Sequence, residues 1–403
     1  MDHQSGDTLL AADIDERVAD LLAAHDPKAT DAVVFRGAQY DRGLAWVWFP
    51  EGFGGLGAPA GLQRGVETKL RDAGANYASV GWNGFGLFLA APTIVAHADD
   101  AQKARLLRPL FTGEAVWCQL FSEPGAGSDL ASLATRAVRD GDEWVVNGQK
   151  VWNTLAHVSD RGMLVTRTDP DVPKHRGMTY FALDMHAAGV EVRPLRQMTG
   201  EAEFNEVYLS DVRVPDADRI GDVNDGWRVS MTTLMNERVT IGGAVAGRGS
   251  GPIGDALQVW EEHPERHDAV LRDRLAELWI EAEILRLTNA RASANRKQGV
   301  AGPEGAVSKL AFAEVNKKIY ELCIAILGPE GILFPDEYEM TRPEQAALTG
   351  GGDPRKMFLR ARANSIEGGT SEILRNIMGE RVLGLPGEPR VDKDRPWVEV
   401  PRS

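Results

Sequence analysis

Three stretches of this 403-residue chain combine glycine turns with hydroxyl or aromatic side chains, which can together hold a planar or phosphorylated ligand. The first stretch, residues 118–129, runs from an apolar segment ending at Leu120 into a turn that contains Gly127. Ser122 and Ser128 flank this turn. Glycine allows close approach to a ligand, and the exposed N–H and hydroxyl groups of such a turn suit a phosphate or an electron-rich ring edge. The alternative is a turn that only reverses the chain.

The second stretch, residues 144–154, places an indole and a hydroxyl close together. Asn147-Gly148 lies between apolar runs and predicts a type I′ hairpin turn. We expect Trp152 and Thr154 at the end of the second strand of this hairpin, on one face because side chains alternate. An indole can stack on a planar cofactor, and a hydroxyl can bond a ring nitrogen. The alternative is a core tryptophan and a surface threonine.

The third stretch, residues 366–376, predicts the start of a helix. Gly368-Gly369 forms a turn, and Thr370 and Ser371 follow directly as capping hydroxyls. A helix N-terminus of this kind can bind a pyrophosphate. The alternative is an ordinary helix cap.

Taken together, these stretches resemble the acyl-CoA dehydrogenase family of flavoproteins. Further runs that follow the family's order are residues 49–57, 91–94, 209–215 and 380–386. The resemblance extends from about residue 48 to residue 386 and implies an α+β fold. The expected parts are a helical N-terminal domain over 1–114, a middle β-barrel domain over 115–220, a C-terminal four-helix bundle over 221–386 and a loosely held tail over 387–403.

The resemblance implies FAD as the cofactor and assigns residues to it. It assigns Leu120 and Ser122 to the flavin pyrimidine side, and Gly127 and Ser128 to the phosphate side. Trp152 and Thr154 match the ring wall and the N5 partner. Thr370 and Glu372 match the pyrophosphate or adenosine part, and Gly328 and Gly331 match a glycine-rich dinucleotide loop. The family's reaction is α,β-dehydrogenation of an acyl-CoA, in which a carboxylate removes the α-proton while hydride leaves the β-carbon.

Two glutamates compete for the role of the base. The commonest family arrangement has Glu-Gly-Thr, whereas this chain has an extra glycine, so that Glu367 is displaced by one residue. Other family members place their base on a helix, at the position that Glu237 matches. We therefore prefer Glu237 and keep Glu367 as the alternative. Arg238 is a candidate for positioning the base or the substrate. The structural alternatives are a solvated helix charge for Glu237, a loop carboxylate for Glu367 and a surface cation for Arg238.

One departure from the family lies between Gly242 and Leu275, where an Arg-x-x-Phe-Gly run that reaches the neighbouring subunit's FAD is missing. Arg248 is the candidate substitute. Three functions stay open: an acyl-CoA dehydrogenase of lipid β-oxidation that passes electrons to an electron-transfer flavoprotein, a flavin monooxygenase or oxidase of the same fold, and a non-catalytic partner subunit. The shared FAD site implies a homodimer or homotetramer, and a heterotetramer is also open.

Composition excludes several other classes of protein. The net charge of −14 argues against non-specific nucleic-acid binding, although an acyl-CoA still needs local lysines or arginines. Two cysteines provide neither a disulfide framework nor a zinc site, and we expect no metal. The acidic N-terminus lacks the apolar region of a secretory signal, and no apolar run reaches membrane-spanning length, so we expect a cytoplasmic protein.

The elements that must position these residues follow a helix–strand–helix order. Residues 13–114 are mostly helical in pattern, and the runs 163–166 and 178–183 predict strands. Apolar positions from Leu271 to Leu285 and from Leu310 to Ile326 then recur with helical spacing. Gly328 is expected to end the second of these helices. Residues 296–305 predict a loop.

Overall fold

The computed structural model describes residues 2–75, 83–242, 247–297, 304–334, 339–343, 352–389 and 392–401. The chain forms two compact units, each assembled from separate stretches of sequence. Unit 1 comprises Met1–Arg193, Asn205–Thr233 and Asp394–Ser403, and unit 2 comprises Pro194–Phe204 and Leu234–Lys393.

Unit 1 begins with a helical part, as predicted. Its helices are α1 (Asp2–Ala24), α2 (Ala32–Asp41), α3 (Gln63–Asp72), α4 (Ala91–His97) and α5 (Asp100–Thr112). Asp99 and Gln102 form a capping box at the start of α5, and Gly113 ends the helix with φ 90°. A core that includes Leu21, Leu44 and Leu70, all fully buried, packs α1 against α3.

The second part of unit 1 is a β-sheet. Its strands are β1 (Trp117–Leu120), β2 (Arg136–Asp140), β3 (Glu143–Lys150), β4 (Arg161–Arg167), β5 (Met178–Asp184), β6 (Val190–Pro194), β7 (Asn205–Pro215) and β8 (Arg219–Ile220). They are joined in the order β6-β7-β3-β2-β4-β5-β8, with β1 parallel to β4. Inward side chains from β1 to β5 and from β7 share one core. The strands predicted at 163–166 and 178–183 are confirmed as parts of β4 and β5.

The predicted hairpin turn at Asn147-Gly148 is wrong. Both residues lie inside β3, which pairs with β2 on one side and β7 on the other. The chain reverses instead between β2 and β3, at Gly141 (φ 64°) and Asp142. A Cβ atom at position 148 would lie 2.3 Å from the Thr135 hydroxyl oxygen, so glycine is needed there for close packing rather than for a turn.

The expectation of a loosely held tail is also wrong for the segment around Trp397. The indole is 8% exposed, and its N–H donates to the Ser132 carbonyl at 3.2 Å. The guanidinium of Arg167 lies 4.9 Å from the ring centroid, and the Trp397 backbone N–H donates to the Val172 carbonyl at 2.9 Å. Burial of a large aromatic side chain anchors this segment on unit 1.

Unit 2 is helical, which confirms the predicted helix–sheet–helix order. Its helices are the second half of α6 (Gly226–Gly242), then α7 (Pro252–Glu262), α8 (Ala269–Lys297), α9 (Glu304–Leu327), α10 (Pro354–Arg360) and α11 (Ser371–Ile377). The two helices expected from apolar spacing are α8 and α9, and Gly328 (φ 59°) ends α9 as predicted. Of the loop predicted over 296–305, residues 296–297 belong to α8 and residues 304–305 to α9, and residues 298–303 lie outside the described ones.

Packing between α7, α8 and α9 forms the core of unit 2, with Leu275, Ile319 and Leu322 buried at its centre. Within the described ranges, no helix combines the length and the apolar composition that crossing a bilayer requires. The domain boundaries expected from the sequence stay predictions.

Candidate functional site

The glycine-rich turn of residues 122–128 follows β1 directly. Leu120 is fully buried in β1, pairing with Leu164 of β4. Glu123 and Ala126 then exchange backbone hydrogen bonds of 3.0 Å in both directions. A Cβ atom at Gly125 or Gly127 would meet no atom within 4 Å, so this side of the turn is open. The sequence therefore forms an exposed turn at the end of a buried strand, as predicted.

A buried ion pair lies beneath this turn. The Lys150 ammonium is fully buried and lies 2.8 Å from Glu123 Oε1, and it also donates to the Phe121 carbonyl at 3.0 Å. The Glu123 carboxylate accepts two more bonds, from the N–H groups of Ala134 (2.7 Å) and Thr135 (2.9 Å). Burial acts to raise the pKa of Glu123, but Lys150 and these donors outweigh burial and hold the pKa below its ordinary value. The charged pair thus fixes the turn to the sheet.

The segment carrying Trp152 and Thr154 lies beside the turn. The Val151 N–H donates to the Ser122 carbonyl at 2.9 Å, and the Asn153 side chain donates to the Gln119 carbonyl at 2.8 Å. The two sequence-predicted sites, 118–129 and 144–154, are therefore brought together. Because β3 ends at Lys150, the expectation that both side chains share one face of a strand is wrong.

Trp152 has an unusual backbone conformation. Its φ of 62° is in the left-handed region, which a bulky residue rarely adopts without a functional reason. Its indole is 56% exposed, whereas Thr154 is 8% exposed. An indole held outward in this way suits a wall for a planar ring.

Three hydroxyl groups at this site are not used by the protein itself. Ser122, Ser128 and Thr154 make no side-chain hydrogen bond with the described residues. The backbone N–H groups of Gly127 and Ser128 likewise have no partner in that part of the chain. Unused donors next to an exposed indole fit a ligand with a polar ring edge and phosphates.

A second cluster of predicted site residues lies in unit 2, around a buried lysine. The Lys309 ammonium donates to the carbonyls of Asn364 (2.7 Å) and Gly369 (2.6 Å), and the residue is 1% exposed. These contacts hold the loop 364–370, in which Gly368 (φ 61°) and Gly369 (φ 96°) have conformations that favour glycine. The loop ends at Thr370, whose hydroxyl accepts from the Ile373 N–H at 3.2 Å, which confirms the predicted helix cap.

The Glu367 carboxylate is held on both oxygens. Arg360 donates to them at 3.2 and 3.0 Å, and the Asn364 side chain donates to one of them at 2.7 Å. Arg360 is buried, and its Nε also donates to the fully buried Glu203 at 3.1 Å. Burial acts to lower the pKa of Arg360, but Glu367 and Glu203 outweigh burial and raise it. Glu367 is thus part of a structural ion network.

The remaining predicted residues are distributed over unit 2. Glu237 is half-buried on α6, and its charge acts on Lys309. Arg238 follows it in the helix, and its side chain lies outside the described ones. Glu372 is 77% exposed in the first turn of α11.

Gly328 and Gly331 do not join the Lys309 cluster. Gly328 follows α9 at the far end from Lys309, about 28 Å away along the helix axis. Position 331 needs glycine for packing, because a Cβ atom there would lie 2.8 Å from the Ile324 carbonyl oxygen. Arg248, the candidate substitute, lies with its guanidinium carbon 5.9 Å from the Trp279 ring centroid and its side chain 70% exposed.

Sequence reasoning missed four charged residues that build both clusters, namely Glu123, Lys150, Lys309 and Arg360. A signal for Lys150 was present, because it occupies an inward position of β3 in register with the buried Trp144 and Val146. A lysine at such a position requires a buried partner. Lys309 gave no comparable signal, because its partners are backbone carbonyls 55 and 60 residues further along the chain.

Comparison with known proteins finds one family. The family models "Acyl-CoA dehydrogenase, middle domain" and "Acyl-CoA dehydrogenase, C-terminal domain" match residues 118–212 and 224–383. Acyl-CoA dehydrogenase FadE34 of Mycobacterium tuberculosis is 37% identical over 94% of this chain, which spans about half (49%) of that protein's length. Acyl-CoA dehydrogenase IpdE1 of the same organism is 36% identical over 86% of both chains.

A solved structure extends the similarity to the fold. The Tcur3481-Tcur3483 steroid ACAD superimposes with a TM-score of 0.71 at 26% identity, covering 95% of this chain and 98% of that chain. Both the family and the α+β fold predicted from the sequence are thereby confirmed.

Proposed function

The chain belongs to the acyl-CoA dehydrogenase family, and we propose that it oxidises an acyl-CoA thioester to the trans-2-enoyl-CoA with Glu237 as the base. It is an FAD-dependent oxidoreductase. The proposal concerns the mechanism: the Glu237 carboxylate takes the α-proton of the thioester. The electron pair of that C–H bond becomes the new carbon–carbon π bond as a hydride leaves the β-carbon.

The residues present fit FAD. Ser122 and Thr154 would bond the polar edge of the isoalloxazine, Trp152 would stack beside it, and Ser128 would face a phosphate, because these hydroxyls have no other partner in the described part of the chain. The resemblance also assigns Thr370, which caps the start of α11, to the pyrophosphate. When bound, FAD supplies the acceptor for the hydride.

The choice of base rests on the hydrogen bonds to the Glu367 carboxylate. Both of its oxygens accept from Arg360, and a third donor comes from Asn364. Three donors therefore fix the Glu367 carboxylate in the network of Arg360, and turning it toward a substrate would break these bonds. Glu237 lies on α6, at the helix position that the resemblance gives to the base in other family members, which supports it as the base.

We also propose a substrate class and an assembly. Because a similar structure is named a steroid ACAD, acyl-CoAs whose acyl group carries a fused ring system are the first substrates to test. Because the family's FAD site is shared between subunits, a second chain would complete its adenosine end in a dimer or tetramer. A different chain would supply the missing Arg-x-x-Phe-Gly run, whereas an identical chain would have to use another residue, such as Arg248. The reduced enzyme would pass electrons to an electron-transfer flavoprotein.

An anaerobic titration tests the function. The purified protein is saturated with FAD and mixed with straight-chain and steroid-ring acyl-CoAs while the visible flavin band is followed. Bleaching together with enoyl-CoA formation supports dehydrogenation. An oxygenated product formed in air would instead identify a monooxygenase, and a chain that cannot be loaded with FAD would identify a non-catalytic subunit.

A matched pair of variants tests the base. We expect Glu237→Gln to abolish bleaching while the flavin stays bound, because the amide cannot accept the α-proton. We expect Glu367→Gln to bleach at a rate near that of the parent enzyme but to unfold at a lower temperature, because Arg360 loses a charged partner. The opposite pattern would show that Glu367 is the base.

A further inference from the structure

We propose that two copies of this chain associate through α8, which packs antiparallel against the α8 of the second copy with Ile284 on the two-fold axis. The surface is a stripe of exposed side chains along this helix, which we call the α8 stripe. It consists of Glu277, Ile280, Ile284, Leu287 and Arg291. Self-association through the α8 stripe does not depend on the proposed reaction, so either can fail without the other.

The centre of the α8 stripe is apolar and exposed to solvent. Ile280 and Ile284 are each 58% exposed, and Leu287 is 53% exposed. They are four and three residues apart, so they lie along one face of the helix. The opposite face carries Leu275 and Leu278, which are buried in the core of unit 2. The helix thus has a second apolar face outside that core, and a row of exposed apolar side chains marks an interaction surface.

The spacing of the α8 stripe is that of a seam between two helices. Steps of three and four residues continue beyond the apolar centre, to Glu277 on one side and Arg291 on the other. This alternation repeats every seven residues, and a heptad repeat keeps one face of a helix against a partner helix over several turns. The element that best covers the α8 stripe is therefore another helix.

The charges at the two ends of the α8 stripe identify that helix as a second α8. Glu277 and Arg291 are both exposed and lie seven residues before and seven residues after Ile284. When two copies of α8 pack antiparallel about Ile284, Glu277 of each copy meets Arg291 of the other, and Ile280 meets Leu287. A parallel pair would instead place like charges opposite each other, which is unfavourable.

Other carboxylates beside the α8 stripe are already paired within the chain. Glu281 lies 2.9 Å from a lysine of α9, and Glu283 lies 2.7 Å from an arginine one turn further along α8. Glu277 and Arg291, by contrast, form no ion pair with any residue of the described ranges. One antiparallel pair of helices would give all four end charges, two from each copy, a partner of opposite sign.

The test measures the molar mass of the FAD-loaded protein by sedimentation equilibrium. We expect Ile284→Asp to halve the mass of the parent assembly, because two carboxylates would meet on the two-fold axis. Glu277→Arg and Arg291→Glu should each weaken the association at least about tenfold, because each substitution creates two like-charge contacts. Helix content by circular dichroism checks that each variant is folded, and Ile280→Asp replaces Ile284→Asp if the latter does not fold.

A charge exchange tests the antiparallel register. The double variant Glu277→Arg/Arg291→Glu should recover the parent association, since opposite charges meet again. Arg274→Glu is the matched control for the single arginine substitution, because Arg274 is exposed on the same helix but lies about 100° around it from the line of the α8 stripe. This control should keep the mass and the association constant of the parent.

The outcomes separate the interface from the reaction. A monomeric parent protein, or single charge variants that associate as strongly as the parent, would overturn self-association through the α8 stripe. A double variant as weak as the single variants would overturn the antiparallel register. A parent that gains mass only with a different chain would assign the stripe to a heteromer and overturn the second copy. Bleaching by an acyl-CoA decides the proposed function separately, because it is measured on the same parent protein whatever its mass.

Discussion

The buried pair of Glu123 and Lys150 allows a strong prediction, because each partner depends on the other. Lys150→Met keeps most of the side-chain volume but removes the ammonium. Among the described residues, the Glu123 carboxylate, 8% exposed, then keeps only the N–H groups of Ala134 and Thr135 as donors. A carboxylate buried without its cation is strongly unfavourable, and the glycine-rich turn above it should lose its fixed position.

The expected magnitude follows from the burial of both groups. Removing one partner of a buried ion pair costs about 3–5 kcal/mol, and loss of the bond to the Phe121 carbonyl adds about 1 kcal/mol. Replacing both partners by neutral groups of similar size is nearly neutral in many proteins. The double variant Glu123→Gln/Lys150→Met should therefore recover at least about 2 kcal/mol relative to the sum of the single variants.

Thermal unfolding and FAD binding provide the assay. A loss of about 4 kcal/mol should lower the melting temperature by about 5 °C, and FAD should be released more readily because Ser122 and Ser128 are on the displaced turn. Lys69→Met is the control, since Lys69 pairs with Asp15 on the surface and should change stability by less than about 1 kcal/mol. Additive effects of the two single substitutions, with no recovery in the double variant, would refute the reasoning.

Three further predictions follow. Gly148→Ala should destabilise the chain by about 1–3 kcal/mol in thermal unfolding, because the new methyl group overlaps Thr135; no loss would mean that β3 adjusts freely. Trp397→Ala should cost about 3–5 kcal/mol and expose the segment around residue 397 to proteolysis, whereas unchanged cleavage would refute the anchoring of this segment. The ionised Glu123 should contribute stability above pH about 4.3 that is lost as pH falls through its lower folded pKa, so Glu123→Gln should flatten the acid limb of stability against pH.

Features set by local sequence were predictable. The strands β4 and β5 contain the apolar-rich runs 163–166 and 178–183, and α8 and α9 show helical spacing of apolar residues. The cap at Thr370 also follows from neighbouring residues alone. In each of these cases the local preference and the final packing agree.

Features set by distant partners were not predictable. Asn147-Gly148 has a strong local preference for a turn, but pairing of β3 with both β2 and β7 keeps the chain extended there. Trp397 is buried by Ser132 and Arg167, which lie more than 200 residues earlier in the chain. The extra glycine before Thr370 left Glu367 as the alternative base, and the contacts of Glu367 with Arg360 add a physical reason for the preference for Glu237.

The ion network around Arg360 restricts where this chain can be cut into fragments or joined to a relative in a chimera. Glu203 comes from the excursion Pro194–Phe204 between β6 and β7, yet it belongs to the helical unit. A fragment cut at the start of the C-terminal family match, residue 224, would lose this carboxylate and leave a buried guanidinium short of one counter-charge. A chimera that exchanges the helical unit with that of a relative therefore needs to carry the excursion along with the helices, although the two are separated in the gene by the coding region for β7.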